Sequence, residues 1–331
     1  MRSSRRTPDP DRAVGDFWGW WQGGGRPQVE RLVTEGGDLE LDLPELLELG
    51  RAIDPDLDWV IESDGDTATL ALSGGGDPRL RAVAERWRSA AVPEPPGSTW
   101  RFLAAAPASD HLLEGGLEVE GVLVDPARGT FALEEVTERW LVPTFAHPAL
   151  DALDPEVAQA VAEHVVVTLL GEDLVCRWVA EVRAAPAIGP EATVVAPTAL
   201  ADAVAAFGVR QATEEQELVE DREGTERVVG RVRRPLHWVD TPTATTHLVL
   251  RGATDADVEV RADGLLAALT DLLGDAGVVV GALWPEDALL LHAYAVPSAS
   301  VRARVEAWAA GERLALEVDD EPGWDSVAAL V

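Results

Sequence analysis

The chain is 331 residues long and 47% hydrophobic, and it carries 59 acidic against 27 basic residues, a formal net charge of −32. At roughly 150 residues per domain, that length predicts two or three domains with cores of ordinary size. The charge repels nucleic-acid phosphate, so DNA and RNA are not expected partners. No apolar run approaches the ~20 residues of a membrane span, and the single cysteine, Cys176, excludes an intramolecular disulfide or a multi-cysteine metal site.

Every basic residue is arginine, and lysine and asparagine are both absent. GC-rich coding accounts for both absences and for part of the acidity. Arg2, Arg5 and Arg6 resemble a twin-arginine signal, but Pro8, Asp9, Pro10 and Asp11 follow and no apolar segment does. Residues 1–13 read as a disordered lead, and the location as cytoplasmic.

Residues 14–107 read as a first α+β domain. Val14 to Trp21 is an aromatic-rich helix stopped by Gly23-Gly24-Gly25. Asp42 caps a helix from Leu43 to Ile53, with Pro44 in its first turn. Strands at Leu57 to Glu62 and Thr67 to Leu72 flank the turn signal Ser63-Asp64-Gly65-Asp66. Asp77-Pro78 opens a second helix, and Trp100 to Ala105 is another strand.

Residues 108–208 read as a second α+β domain. Strands are expected at Leu117 to Val124, Thr130 to Glu135 and Arg139 to Phe145. Asp154-Pro155 caps a helix through Val157, Val161 and Val165; Leu174 to Val182 reads as a strand, and Pro197 to Phe207 as a helix ending at Gly208. Residues 209–236 are charge-rich and read as a linker or a solvated edge hairpin.

Residues 237–331 have the clearest pattern. A strand at Thr245 to Arg251 precedes a helix at Val258 to Leu273. A hairpin, Val278 to Leu283 with Ala288 to Val296, leads to a helix at Ser300 to Ala309 and a strand at Leu314 to Val318. This β-α-β-β-α-β order is the split βαβ, or ferredoxin-like, arrangement, so the fold class is α+β. The first domain repeats part of that order, which leaves an internal duplication open.

No motif for catalysis stands out. Gly74-Gly75-Gly76 lies between a strand and a helix start, where backbone N–H groups can hold phosphate. However, Asp77 places a negative charge there, and a capped turn is the simpler reading. The histidines His111, His147, His164, His237, His247 and His292 form no metal-binding spacing, so no metal or cofactor is expected. Two sets could meet in three dimensions, His147, His164 and Glu172, or His237, Asp240 and His247, but neither has a diagnostic spacing. Cys176 sits in an apolar run and reads as a buried thiol rather than a nucleophile. Phe17, Trp18, Trp20 and Trp21, after an arginine-rich lead, read first as core packing, then as a protein-docking surface, and last as a membrane-interface segment. Trp18, Trp20, Trp21, Trp284, Tyr294 and Trp324 are the candidate partner-contacting rings.

Several short segments carry a resemblance to bacterial proteins of unknown function. They are Phe17-Trp18-Gly19-Trp20-Trp21, Asp54-Pro55-Asp56-Leu57-Asp58-Trp59, Leu70 to Gly76, Trp100-Arg101-Phe102 and Leu169-Leu170-Gly171-Glu172. Residues His237 to Val331 resemble domain-of-unknown-function family 695, through Val280-Gly281, Tyr294-Ala295-Val296 and Asp320-Glu321-Pro322-Gly323-Trp324. Some members of that family are similar to the regulator of ribonuclease E activity B, an acidic ferredoxin-like inhibitor that binds a ribonuclease. The resemblance implies a non-enzymatic regulatory role through binding a protein, with no catalytic residue to carry over. The alternatives are an enzyme with its site at His147, His164 and Glu172, an immunity or antitoxin-type inhibitor, and a scaffold.

Overall fold

The computed structural model of the protein describes residues 10–37, 39–63, 65, 67–94, 97–137, 139–211, 215–223, 226–254, 257–285 and 288–328. The chain is a mixture of helices and several small sheets, divided into two units, residues 1–211 and 212–331. None of its described helices is long and apolar enough to cross a membrane.

The described part of the first unit begins with helix α1 (Pro10–Trp20), so Pro10 to Ala13 of the expected disordered lead are helical, and the rest of that lead, residues 1–9, lies outside the described residues. The glycine run does not stop it. One π-type turn, Trp21–Gly25, leads directly into α2 (Arg26–Glu35). The kink falls at Gly24, whose φ of 136° is open to a residue without Cβ, and the run acts as a hinge between two helices. After a single turn, α3 (Leu39–Asp42), comes α4 (Pro44–Ile53). Asp42 closes that turn, and Leu43, with no capping side chain, is the N-cap of α4. Strands β1 (Asp58–Ser63) and β2 (Ala68–Ser73) pair antiparallel. Helix α5 (Pro78–Ser89) starts at Asp77, whose carboxylate accepts from the Arg79 and Leu80 N–H groups. It crosses to β3 (Trp100–Leu103), which lies parallel to β2.

The helices pack on this sheet around an aromatic centre. Phe17 is fully buried, with the rings of Trp18, Trp20, Trp21, Trp59 and Trp87 at centroid distances of 4.9 to 6.3 Å. Two of the buried indole N–H groups find acceptors, Trp18 at the Trp87 carbonyl (3.0 Å) and Trp59 at the Leu46 carbonyl (2.8 Å), while those of Trp20 and Trp87 are buried without one.

Continuing the first unit are α6 (His111–Gly115), β4 (Leu117–Val119) and β5 (Val122–Val124). Residues 117–124 are therefore a tight hairpin rather than one strand, because Glu120 and Gly121 both take positive φ and reverse the chain. Strands β6 (Thr130–Thr137) and β7 (Trp140–Ala146) precede α7 (Pro155–Leu170). Next comes α8 (Glu172–Trp178), a helix where a strand was expected. Gly171, at φ 75°, ends α7, and Glu172 and Asp173 favour the positive end of a new helix over continued extension. Strands β8 (Arg183–Ala185) and β9 (Val194–Val195) complete a sheet ordered β8-β7-β6-β9, whose core is shared with α7. Helix α9 (Leu200–Gln211) runs through Gly208 instead of ending there. A Cβ at Gly208 would lie 2.9 Å from the Trp178 ring, so this glycine serves packing.

The second unit is one sheet of order β10-β11-β13-β14-β12-β15, antiparallel throughout. The charge-rich stretch forms the hairpin of β10 (Glu215–Glu223) and β11 (Glu226–Arg234) at one side. The remaining elements are β12 (Thr246–Ala253), α10 (Val258–Leu273), β13 (Gly277–Trp284), β14 (Ala288–Ala295), α11 (Ala299–Glu312) and β15 (Ala315–Asp320). Leu248, Leu250, Leu289 and Leu291 meet α10 and α11 in one core, while Val280, Tyr294, Trp324 and Val327 form a smaller one.

The internal duplication fails on topology. In the first unit β2 and β3 are direct parallel neighbours. In the second, β14 and β15 are separated by β12, which pairs with both.

Candidate functional site

The six rings expected to face a partner are mostly interior. Trp18, Trp21, Tyr294 and Trp324 are buried, and Trp20 and Trp284 are half-buried. Apolar area is better satisfied inside these small cores than at the surface, so the four buried rings offer a partner no contact area. His147, His164 and Glu172 do not assemble either. His147 caps the turn after β7, accepting from the Ala149 N–H at 3.2 Å. His164 stands on the exposed face of α7, close enough to His111 for their charges to interact. Glu172 is committed elsewhere.

Glu172, 3% exposed, joins three segments of the first unit. One carboxylate oxygen accepts from the Gly76 N–H (2.9 Å); the other accepts from the Ser73 hydroxyl (2.7 Å) and the Ala106 N–H (3.0 Å). The glycine turn therefore does bind an anion, but the anion is the protein's own carboxylate. Beside it, Arg81 is held by Asp173 and Glu85. Burial raises the pKa of Glu85, but hydrogen bonds from Arg88 and Arg81 outweigh this and hold it below the usual carboxylate range. Cys176 lies over Gly76, and its thiol is pushed up to about 12 by burial and by the charges of Glu172 and Asp173. It stays protonated and unreactive at neutral pH.

A cleft of about 880 Å³ opens in the first unit. Its floor is the open face of the β1-β2-β3 sheet, where Glu62, Thr69 and Arg101 stand on three adjacent strands. Its walls come from residues 107–114, Leu169 and the start of α9 around Pro197. Alternation within each strand produces this floor: one face packs on the aromatic core and the other is left polar. Arg101 donates to the Thr69 hydroxyl at 3.2 Å. Burial pushes the Glu62 carboxyl up, against a hydrogen bond from Ser109 and the charge of His111. Ser109 also lies 2.9 Å from His111 Nδ1. In this string the hydroxyl stands between acid and imidazole. A serine nucleophile needs the imidazole in the middle, so this arrangement does not activate the Ser109 hydroxyl in that way. Nothing in the sequence flagged this cleft, because its polar groups come from strands and loops far apart in the chain.

In the second unit a stack runs through Trp324, Tyr294, His247 and His292, with centroid separations of 4.4, 4.5 and 5.4 Å. Glu321 accepts from the Tyr294 hydroxyl (2.6 Å) and the Ser326 N–H (2.6 Å), and it pairs with His247 Nδ1 (2.9 Å). His247, of the expected set with His237 and Asp240, meets His292 and Glu321 in this network. Among the described residues no group of three or more acidic, histidine or cysteine side chains is arranged to hold a metal ion. Comparison of the chain with family models, curated proteins and solved structures gives no match in any of the three.

Proposed function

We propose that this is a non-catalytic regulatory protein of the cytoplasm that docks a basic protein partner. The observation that carries the reading is the distribution of charge. Residues 1–211 hold 36 acidic residues against 17 arginines, and residues 212–331 hold 23 against 10. The acidity therefore belongs to both units rather than to one tail. Many arginines are already occupied by carboxylates of the same chain, as in Arg26–Glu94, Arg81–Glu85, Arg183–Glu134 and Arg231–Asp263. The carboxylates left over face solvent and favour a cationic surface. We read residues 246–320 as a ferredoxin-like module, consistent with the family resemblance of the C-terminal region, and assign it a share in recognition. An immunity or antitoxin-type inhibitor is the specialised form of this reading.

The test is capture from native cytosol by the immobilised full chain, followed by a salt gradient. A partner of basic composition that elutes progressively up to ~0.5 M salt, as screening shortens the reach of the charges, is the expected result. Partners that stay bound irrespective of salt would sink the docking mechanism.

A further inference from the structure

Among the described residues, the carboxylates withdrawn from solvent are, with one exception, provided for by ion pairs or several donors. Glu85 has Arg81 and Arg88, Glu94 has Arg26, and Glu172 and Glu321 each gather several donors. Glu62, half-buried on the cleft floor, has the Ser109 hydroxyl and feels the charges of His111 and Arg101, but among the described residues it forms no direct ion pair. Arg101 stands on the same floor but donates to Thr69 instead. A carboxylate drawn out of water without a counter-ion costs free energy. At the bottom of a cleft, a ligand is what recovers that cost.

We infer that this cleft seats an arginine-bearing segment of the protein partner, with the guanidinium on the Glu62 carboxylate. The inference rests on the docking reading and names the partner chemistry for one site within it. Asp110 and Glu114, both exposed at the wall, make the mouth negative and draw a cation in. Pro107, Leu113, Leu169 and Pro197 supply apolar wall for the side-chain stem. Besides Glu62, the hydroxyls of Ser63, Ser109 and Thr198 line the cleft, and acceptors dispersed in this way suit the five donors of a planar guanidinium better than a compact ammonium. Arg101 is left to donate to a backbone carbonyl of the bound segment. A cleft of about 880 Å³ is larger than one side chain needs, so residues flanking the arginine enter too.

The test titrates the full-length protein at low salt with a blocked pentapeptide carrying a central arginine, with its lysine and glutamate counterparts, and with free arginine. Binding is followed by NMR. The arginine peptide binds most tightly, the lysine peptide several-fold more weakly, and the glutamate peptide not at all. Glu62→Gln weakens the arginine peptide at least tenfold, while Glu118→Gln, on the exposed side of β4, leaves it unchanged. Because Glu62→Gln removes a desolvated charge, the variant melts no lower than the parent, which separates lost binding from lost folding. Equal binding by Glu62→Gln and the parent overturns the inference, as does free arginine binding as tightly as the peptide. If the cytosolic partner is captured equally by Glu62→Gln and still elutes with salt, the cleft is the wrong seat while the docking reading survives. If the arginine peptide binds as described but no salt-sensitive partner is captured, the cleft site stands and the docking reading fails.

Discussion

Glu172 shows how one side chain decides what a site cannot be. The turn at Gly74–Asp77 presents backbone N–H groups of the kind that hold phosphate, and Glu172 fills that position from a helix about 100 residues further on. An external anion would have to displace a carboxylate that already satisfies the Gly76 and Ala106 N–H groups and the Ser73 hydroxyl. Glu172→Ala strands these part-buried donors, each worth roughly 1 kcal/mol when left unmet. A loss of about 3 kcal/mol in the free energy of unfolding is expected from urea denaturation. A loss under ~0.5 kcal/mol would mean that water reaches the donors and that the carboxylate is dispensable. Glu172→Gln, which keeps one acceptor oxygen, falls between the two.

Elements whose signals are local were readable. Helix α10 has the expected bounds because Ala262, Leu265, Leu266, Leu269 and Leu273 repeat at helical spacing onto the core. Helix α8 was missed because Leu174, Val175 and Val179 are β-branched or apolar enough for a strand. What settles the matter is Glu172 reaching across to another segment, which spacing does not reveal. The histidine stack over β12 and β14 is a third case, since its members become neighbours only through strand pairing. Its protonation follows from the contacts. His247 Nδ1 faces the Glu321 carboxylate and therefore carries a proton; in the neutral ring Nε2 is then an acceptor for His292 Nδ1–H at 3.2 Å. His292 Nε2 is left buried as a bare acceptor with no partner. Burial and the charge of His247 push His292 down to about 4, and His247 is lowered as well, chiefly by burial. Burial raises the pKa of Glu321, but hydrogen bonds from Ser326 and Tyr294 outweigh it and leave it lowered. The signs agree. The unfolded chain takes up protons on these histidines near pH 6.5; in the folded chain His247 takes its proton up at lower pH, and His292 resists until about 4. Stability is therefore full above pH ~7 and falls as the pH drops from ~6.5 toward 4, with Glu321 adding to the fall below its unfolded pKa. His292→Asn keeps a donor toward His247 but does not titrate, so its stability profile is flatter over that interval. A profile identical to the parent's would place the pH dependence elsewhere.

For the molecule as a whole, the order of elements in the second unit was legible, whereas strand order and the cleft of the first unit were not. Glu62, Arg101, Ser109 and His111 share a cavity only because β1, β2 and β3 turn a polar face away from the tryptophan core, and no spacing in the chain encodes that. Net charge was legible, and it has a consequence for the fold as well as for binding. At −32 over 331 residues, carboxylates repel one another across both units, and this repulsion is larger in the compact state than in the expanded chain. Screening relieves it. Ion pairs that are largely buried, such as Arg81–Glu85, lose little to salt, while exposed ones such as Arg183–Glu134 and Arg210–Glu135 contribute little at any salt concentration. Relief of repulsion therefore outweighs the weakening of attraction. The melting temperature, followed by calorimetry at pH 7.5, is expected to rise by several degrees between ~20 mM and ~0.3 M NaCl, where the screening length shrinks from roughly 20 Å to about 6 Å. A flat or falling curve would mean that the surface arginines balance the carboxylate excess locally. The surplus invoked for docking would then not be available to a partner.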